Sequence, residues 1–234
     1  MTNYNIDIVS DTQFNERSLM ICRCYVGKNR LEVAIKQHKQ SHPNDTFTTT
    51  WHPFYLNPDA PKNVDKQAYY EKRFGAERTK VMQGHLARLG KAVSIDFKFG
   101  GKTGNTRDSH RLIQLGLTKG KEQQTRVVEQ LFNSYFENEE DITEREVLIA
   151  RGVKAGLPEH EVREWLESDK GGPEVDKEVA KAQSGFISGV PNFTVNGQYE
   201  VQGAEEPAAF LQIFDEIKGR GDGAGVVSNG GNTC

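Results

Sequence analysis

The dipeptide Asn196-Gly197 lies between Phe193-Thr194-Val195 and Gln198-Tyr199-Glu200-Val201. A two-residue hairpin loop needs positive φ at both central positions, which Asn and Gly adopt readily, so this stretch predicts an antiparallel hairpin. What precedes it has a different period. From about Asp65 to Phe186 apolar residues recur three and four apart, as they do on packed helices. Tyr69, Tyr70 and Phe74 begin one stripe, and Val81, Leu86 and Leu89 a second. Leu112, Ile113 and Leu115 form a third, and Val127, Val128, Leu131, Phe132 and Phe136 a fourth. Thr143-Glu144-Arg145-Glu146 has the form of a capping box, and Pro158 fits a further helix start before Val162, Trp165 and Leu166. Any fold for this chain must therefore place a long helical block ahead of a short β-hairpin.

The N-terminal segment supplies the rest of the sheet. Asn5-Ile6-Asp7-Ile8-Val9-Ser10 alternates and is β-branched, which predicts a strand. A helix is expected from Cys22 or Cys24 to Gln40, then a loop at Ser41–Asp45, then a Thr- and aromatic-rich strand from Phe47 to Leu56. Strand, helix and strand in that order imply a right-handed parallel crossover. Phe210, Leu211, Ile213, Phe214 and Ile217 share one face of a closing helix. A sheet that begins as a parallel pair and ends as an antiparallel hairpin predicts the α/β thioredoxin layout, here carrying a large all-helical insertion. The expected division is residues 1–61 and 187–218 for the two halves of the thioredoxin domain and 62–186 for the insertion. Residues 219–234 form a Gly-rich tail expected to be mobile.

Bulk properties exclude several function classes. A net charge of −3 gives no electrostatic case for nucleic acid or an anionic membrane. No apolar run approaches the ~18–20 residues of a membrane span. The N-terminus lacks a basic start followed by an apolar run, so no secretory signal is expected and a cytoplasmic location is. The only cysteines are Cys22, Cys24 and Cys234, too few for a disulfide-stapled fold. The histidines are read as lacking metal-ligand spacing, and two neighbouring cysteines without a third ligand make a poor zinc site. No phosphate loop or nucleophile-elbow motif occurs.

The chemistry concentrates where the first strand hands over to its helix. A helix N-terminus stabilises a thiolate, and a second thiol one turn away can resolve a mixed disulfide. Ser10-Asp11-Thr12 followed by Cys24-Tyr25-Val26-Gly27-Lys28 resembles the DsbA-family stretch in which Ser-Asp-x precedes Cys-Pro-Trp-Cys-Tyr-x-Gly. Phe54-x-Leu56-x-Pro58 resembles the close of that family's second strand. Phe99–Thr106 with Ser109-His110-Arg111-Leu112 resembles part of its helical insert. Gly189-Val190-Pro191-Asn192-Phe193 resembles its cis-proline loop, and Val201-x-Gly203-Ala204 follows in order. The resemblance spans about residues 5 to 217 and is to the FrnE-like branch of DsbA-like thiol–disulfide oxidoreductases.

The sequence also departs from that pattern. With Cys24 in the second cysteine position, Ile21 stands where the first cysteine belongs, Cys22 takes the proline place and Arg23 the tryptophan place. The link from Gln13 to Met20 is longer than the family's and is expected to be an irregular loop. Of a C-terminal cysteine pair only Cys234 is present, with Ala224 nearby. Residues two apart on a helix point about 200° apart, so Cys22 and Cys24 can bridge only where the helix is unwound.

The resemblance implies Cys22 as attacking thiol, Cys24 as resolving thiol, and Val190 with Pro191 as the groove that holds an extended substrate by β-addition. His110 is either a packing histidine or a substrate-contacting group assisting thiolate chemistry. No bound cofactor is implied, with glutathione as a candidate co-substrate. The implied partners are protein or small-molecule thiols and disulfides. Two alternatives share the fold: a glutathione-linked enzyme resembling 2-hydroxychromene-2-carboxylate isomerase, and a non-catalytic binding module.

Overall fold

The computed structural model describes residues 1–12, 23–185, 187 and 189–222. The expectations for Gln13–Met20, Ile21, Cys22, Ala224 and Cys234 lie outside the described residues.

The sheet grows from both chain ends. Strand β1 (Asn3–Ser10) leads, beyond residues 11–22, to helix α1 (Arg23–Ser41), and β2 (Thr46–Pro53) returns beside β1 in parallel. Near the C-terminus β5 (Asn192–Val195) and β6 (Tyr199–Gln202) form the hairpin, with Asn196 at φ 51° and Gly197 at φ 68°. β5 pairs antiparallel with β1, so the sheet order is β2-β1-β5-β6. Alternation explains the register. Tyr4, Ile6 and Ile8 point into the core, where Phe193, Phe210 and Phe214 are also fully buried. Helix α9 (Pro207–Asp222) packs on α1 and closes that face. It runs past Lys218 into the Gly-rich stretch expected to be a tail, with Arg220 bonded one turn back to Glu216.

The segment between β2 and β5 is mostly helical. It holds α2 (Lys66–Phe74), α3 (Ala76–Ala92), α4 (Arg107–Thr118), α5 (Lys121–Phe132), α6 (Arg145–Lys154), α7 (Glu159–Glu167) and α8 (Gly172–Ser184). It also contains a two-residue antiparallel pair, β3 (Val64–Asp65) with β4 (Lys102–Thr103), which the helical period does not predict. Three further expectations are corrected. β2 stops at Pro53 rather than Leu56, because the Leu56 N–H turns away to the Asp11 carboxylate. The capping box at Thr143–Glu146 does not form: the Thr143 N–H and hydroxyl both donate to Asp141, and α6 begins without a side-chain cap. Val81 is 70% exposed, and the inner stripe of α3 runs instead through Met82 and Leu86, four apart.

The insertion is tied to the sheet by polar contacts as well as by packing. β2 is an edge strand, and an edge needs cover. Gln124 on α5 supplies it by accepting from the Trp51 N–H at 3.0 Å and donating to the Trp51 carbonyl at 2.8 Å, as a neighbouring strand would. His52 bridges Asp7 and Glu178 at 3.1 Å each, and those carboxylates, Glu178 foremost, raise its pKa against the opposing effect of burial. Lys28 and Tyr25 on α1 reach Glu129 and Glu137 of the insertion. No described helix is long and apolar enough to cross a membrane.

At the far end of the sheet Asp45 gathers three donors: the Thr2 N–H at 2.7 Å, Lys218 at 2.9 Å and His38 at 3.0 Å. Burial alone would push this carboxyl up. The Lys218 and His38 hydrogen bonds, with the Thr2 N–H, outweigh it and hold the group well below the usual carboxylate range. A depressed folded-state pKa contributes stability above the unfolded value of about 3.9, and that stability is lost as pH falls below it. Urea midpoints measured against pH are therefore expected to fall between about pH 4 and pH 2 more steeply in wild type than in Asp45→Asn. The variant should be less stable at neutral pH by about 2–4 kcal/mol, since a buried charged network loses its acceptor.

Candidate functional site

The parallel strands β1 and β2 end at one edge of the sheet, and α1 begins above that edge. Asp11 follows directly after β1 and is wholly buried. One carboxylate oxygen accepts from the Thr12 N–H at 2.7 Å and from His110 Nε2 at 3.2 Å; the other accepts from the Leu56 N–H at 2.8 Å. A buried carboxylate needs such partners, because an isolated charge in this environment is costly. Thr12 extends the cluster. The Ser109 hydroxyl donates to the Thr106 carbonyl, so it accepts from the Thr12 hydroxyl, at 2.8 Å. Three segments thus meet at Asp11: the end of β1, the loop after β2, and the first turn of α4.

Cys24 is the second residue of α1, a free thiol and only 6% exposed. Burial pushes its thiol up to about 12, the Asp11 backbone N–H opposes that rise, and the Asp11 charge adds to it. Position at a helix start would ordinarily favour the thiolate. Here desolvation outweighs that effect and favours the protonated thiol. Arg23, the first helical residue, has its guanidinium pKa lowered, mainly by burial, with Glu205 raising it and Arg30 lowering it.

The Val190–Pro191 peptide bond is cis. Pro191 is buried, and its carbonyl accepts from the Gly203 N–H at 2.8 Å, which ties the loop to the end of β6. The loop also packs on α1. A Cβ at Gly27 would lie 3.1 Å from Pro191 Cγ and 3.0 Å from Phe193 Cζ, so glycine here lets the helix approach. Gly27 is one turn beyond Cys24, which puts the proline loop beside the helix that carries the thiol. Val190 is half-buried, and its N–H and C=O make no backbone hydrogen bond among the described residues.

His110 is enclosed in the Asp11 cluster. It is 2% exposed, bonded to Asp11, and faced by the Tyr55 ring at 5.7 Å. Its hydrogen bond helps to fix the Asp11 side chain. Asp11, Thr12, Ser109 and Tyr55 complete the site and were not singled out by sequence reasoning as functional. The available signal was Asp11 itself, an acidic residue directly after a core strand and inside a quoted motif.

A parallel βα crossover, an antiparallel hairpin preceded by a cis-proline and a thiol in the first turn of α1 define a thioredoxin-fold protein with a helical insertion. The DSBA-like thioredoxin domain family matches residues 22–215, and the chain belongs to that family. Among solved structures it resembles a probable DsbA oxidoreductase from Streptomyces coelicolor at 24% identity and TM-score 0.77, over 92% of this chain and 90% of that one. A 2-hydroxychromene-2-carboxylate isomerase shares the fold at 15% identity and TM-score 0.64, over 95% and 100%. The cytosolic disulfide reductase DsbM from Pseudomonas aeruginosa, solved with GSH, does so at 11% identity and TM-score 0.55, over 92% and 99%. No curated protein matches the chain in sequence.

The Asp11–His110 contact yields a test. Asp11→Asn and His110→Phe are each expected to cost about 3 kcal/mol in urea unfolding, because each leaves a buried polar partner unmatched. The double variant should show a coupling of about 1–3 kcal/mol. Additive losses would mean the pair is not energetically linked.

Proposed function

We propose that the chain is a thiol–disulfide exchange protein acting on protein or small-molecule thiols and disulfides. In this reading Cys22 attacks, Cys24 resolves, and Val190 with Pro191 receives the extended substrate. The observation that carries the reading is the state of Cys24, a buried thiol in the first turn of α1 with its pKa pushed up to about 12 beside the buried Asp11. A resolving thiol must stay protonated until a mixed disulfide forms, and then lose its proton as it attacks. The buried Asp11 lies near Cys24 and is itself hydrogen-bonded to His110. Cys22 precedes Arg23, whose guanidinium favours a neighbouring thiolate. The backbone groups of Val190, without a backbone hydrogen bond among the described residues, suit β-addition of a peptide. Glutathione is a small-molecule candidate of the same chemistry, and a cytoplasmic setting suits a protein that works on reduced thiols.

The Cys-Arg-Cys spacing limits the activity. A bridge between residues two apart needs non-helical backbone, so dithiol turnover should be weaker than for a Cys-X-X-Cys relative. Insulin reduction with dithiothreitol is the measurement. Wild type should be weakly active, Cys22→Ser inactive, and Ile21→Cys several-fold more active, because a three-residue spacing to Cys24 is restored. Full activity in Cys22→Ser, or no gain in a normally folded Ile21→Cys, would contradict the assignment. Inactivity of all three with retained glutathione binding would favour the glutathione-linked isomerase reading, for which the fold of the chromene-carboxylate isomerase is the supporting likeness.

A further inference from the structure

At the opposite end of α1 from Cys24, two imidazoles and a carboxylate converge. His38 and His42 are four apart on the last turns of α1 and the loop after it, and Asp45 immediately precedes β2. One potential ligand atom from each lies within 4.8 Å of the others. We propose that His38, His42 and Asp45 bind a divalent cation of the zinc class, with solvent as the fourth ligand.

Chemistry and geometry agree on this. Two imidazoles and one carboxylate form a nitrogen–oxygen donor set that zinc accepts, at metal–ligand distances of about 2.0–2.2 Å. Tetrahedral ligands at that distance stand about 3.4 Å from one another. His38 Nε2 and Asp45 Oδ2 are already 3.0 Å apart, so a cation can take the place of the proton they share with little movement. His42 stacks on His38 with ring centroids 4.5 Å apart and needs only a side-chain rotation to join them. Among the described residues its Nδ1 is hydrogen-bonded to the Ser41 hydroxyl, at 3.0 Å, and not to the Asp45 network.

The site is also built. The His38 and Asp45 side chains are 1% and 2% exposed, whereas His42 is half-buried and gives a route in from solvent. The His38 ring is fixed by the edges of Tyr4, Phe47 and Phe214, with centroids at 5.4, 5.6 and 5.5 Å. The Thr2 N–H holds the other oxygen of Asp45 at 2.7 Å. Such outer partners orient ligands before the metal arrives. Lys218 sits on Asp45 at 2.9 Å and supplies the positive charge in the metal-free state. Its side chain is 20% exposed and can swing outward when a cation takes over that role. The spacing His38-x-x-x-His42-x-x-Asp45 was legible in the sequence, and the expectation of no metal-ligand histidines passed over it. A cation here would tie the end of α1 to the start of β2, about 21 Å along α1 from Cys24.

The test uses the full, tag-free chain with Zn²⁺ alone, and Co²⁺ as a spectroscopic substitute. Calorimetry should show one site per chain, a rise in unfolding temperature with Zn²⁺, and about a tenfold or greater loss of affinity in His42→Ala. His42→Ala removes a half-buried ring that stacks on His38 but lies outside the Asp45 hydrogen bonds, so the metal-free variant should fold, with an unfolding temperature a little below wild type and no rise on adding Zn²⁺. Bound Co²⁺ should show tetrahedral bands without a sulfur charge-transfer band. Equal Zn²⁺ affinity in wild type and His42→Ala, a sulfur band pointing to the cysteines, or no binding in wild type would each overturn the proposal.

Discussion

A fully buried carboxylate that accepts hydrogen bonds from separate parts of the chain constrains the whole molecule. Asp11 takes the Thr12 N–H, the Leu56 N–H and His110, and so locks the end of β1 to the loop after β2 and to α4. None of these groups could be moved far without leaving a charge unmatched in the interior. That requirement explains why β2 ends where it does and why α4 presents Ser109 and His110 inward. The same residue touches the thiol electrostatics in two opposing ways, its backbone N–H lowering and its charge raising a Cys24 pKa that burial mainly sets.

Periodicity revealed the elements better than their junctions. The hairpin at Asn196-Gly197 and the alternation from Asn5 to Ser10 are backbone and burial signals that need no partner to be read, and both are present in the sheet. The capping box at Thr143–Glu146 failed because Asp141, two residues upstream, offers the Thr143 hydroxyl a better-placed acceptor. Val81 failed because two registers one residue apart fit the same helical stripe, and packing chose Met82 and Leu86. β3 and β4 are too short to leave a pattern. The site was partly legible. Cys24 and the Val190–Pro191 loop were visible as motifs. The burial of His110 was not, since its partner Asp11 lies 99 residues away in sequence and nothing local announces the contact.

The chain separates two polar centres along one helix. At the start of α1 the Asp11 cluster lies beside a thiol whose burial pushes its pKa up. At its end Asp45 collects His38, Lys218 and the Thr2 N–H. Between them the inner face of α1 packs through Val26, Leu31 and Ala34. The Gly27 contact with Pro191 shows how tightly the first half of that helix is fitted to the hairpin.

The central claim is that burial keeps the Cys24 thiol protonated and that the Asp11 charge adds to that effect. The direct measurement is the ultraviolet thiolate titration of Cys24 in a chain lacking the other thiols, with Cys22→Ser and Cys234→Ser in place. The thiol should titrate at about 12 in that background, and at a clearly lower pH once Asp11→Asn removes the neighbouring charge. An unchanged or higher value in the Asp11→Asn chain would contradict the account.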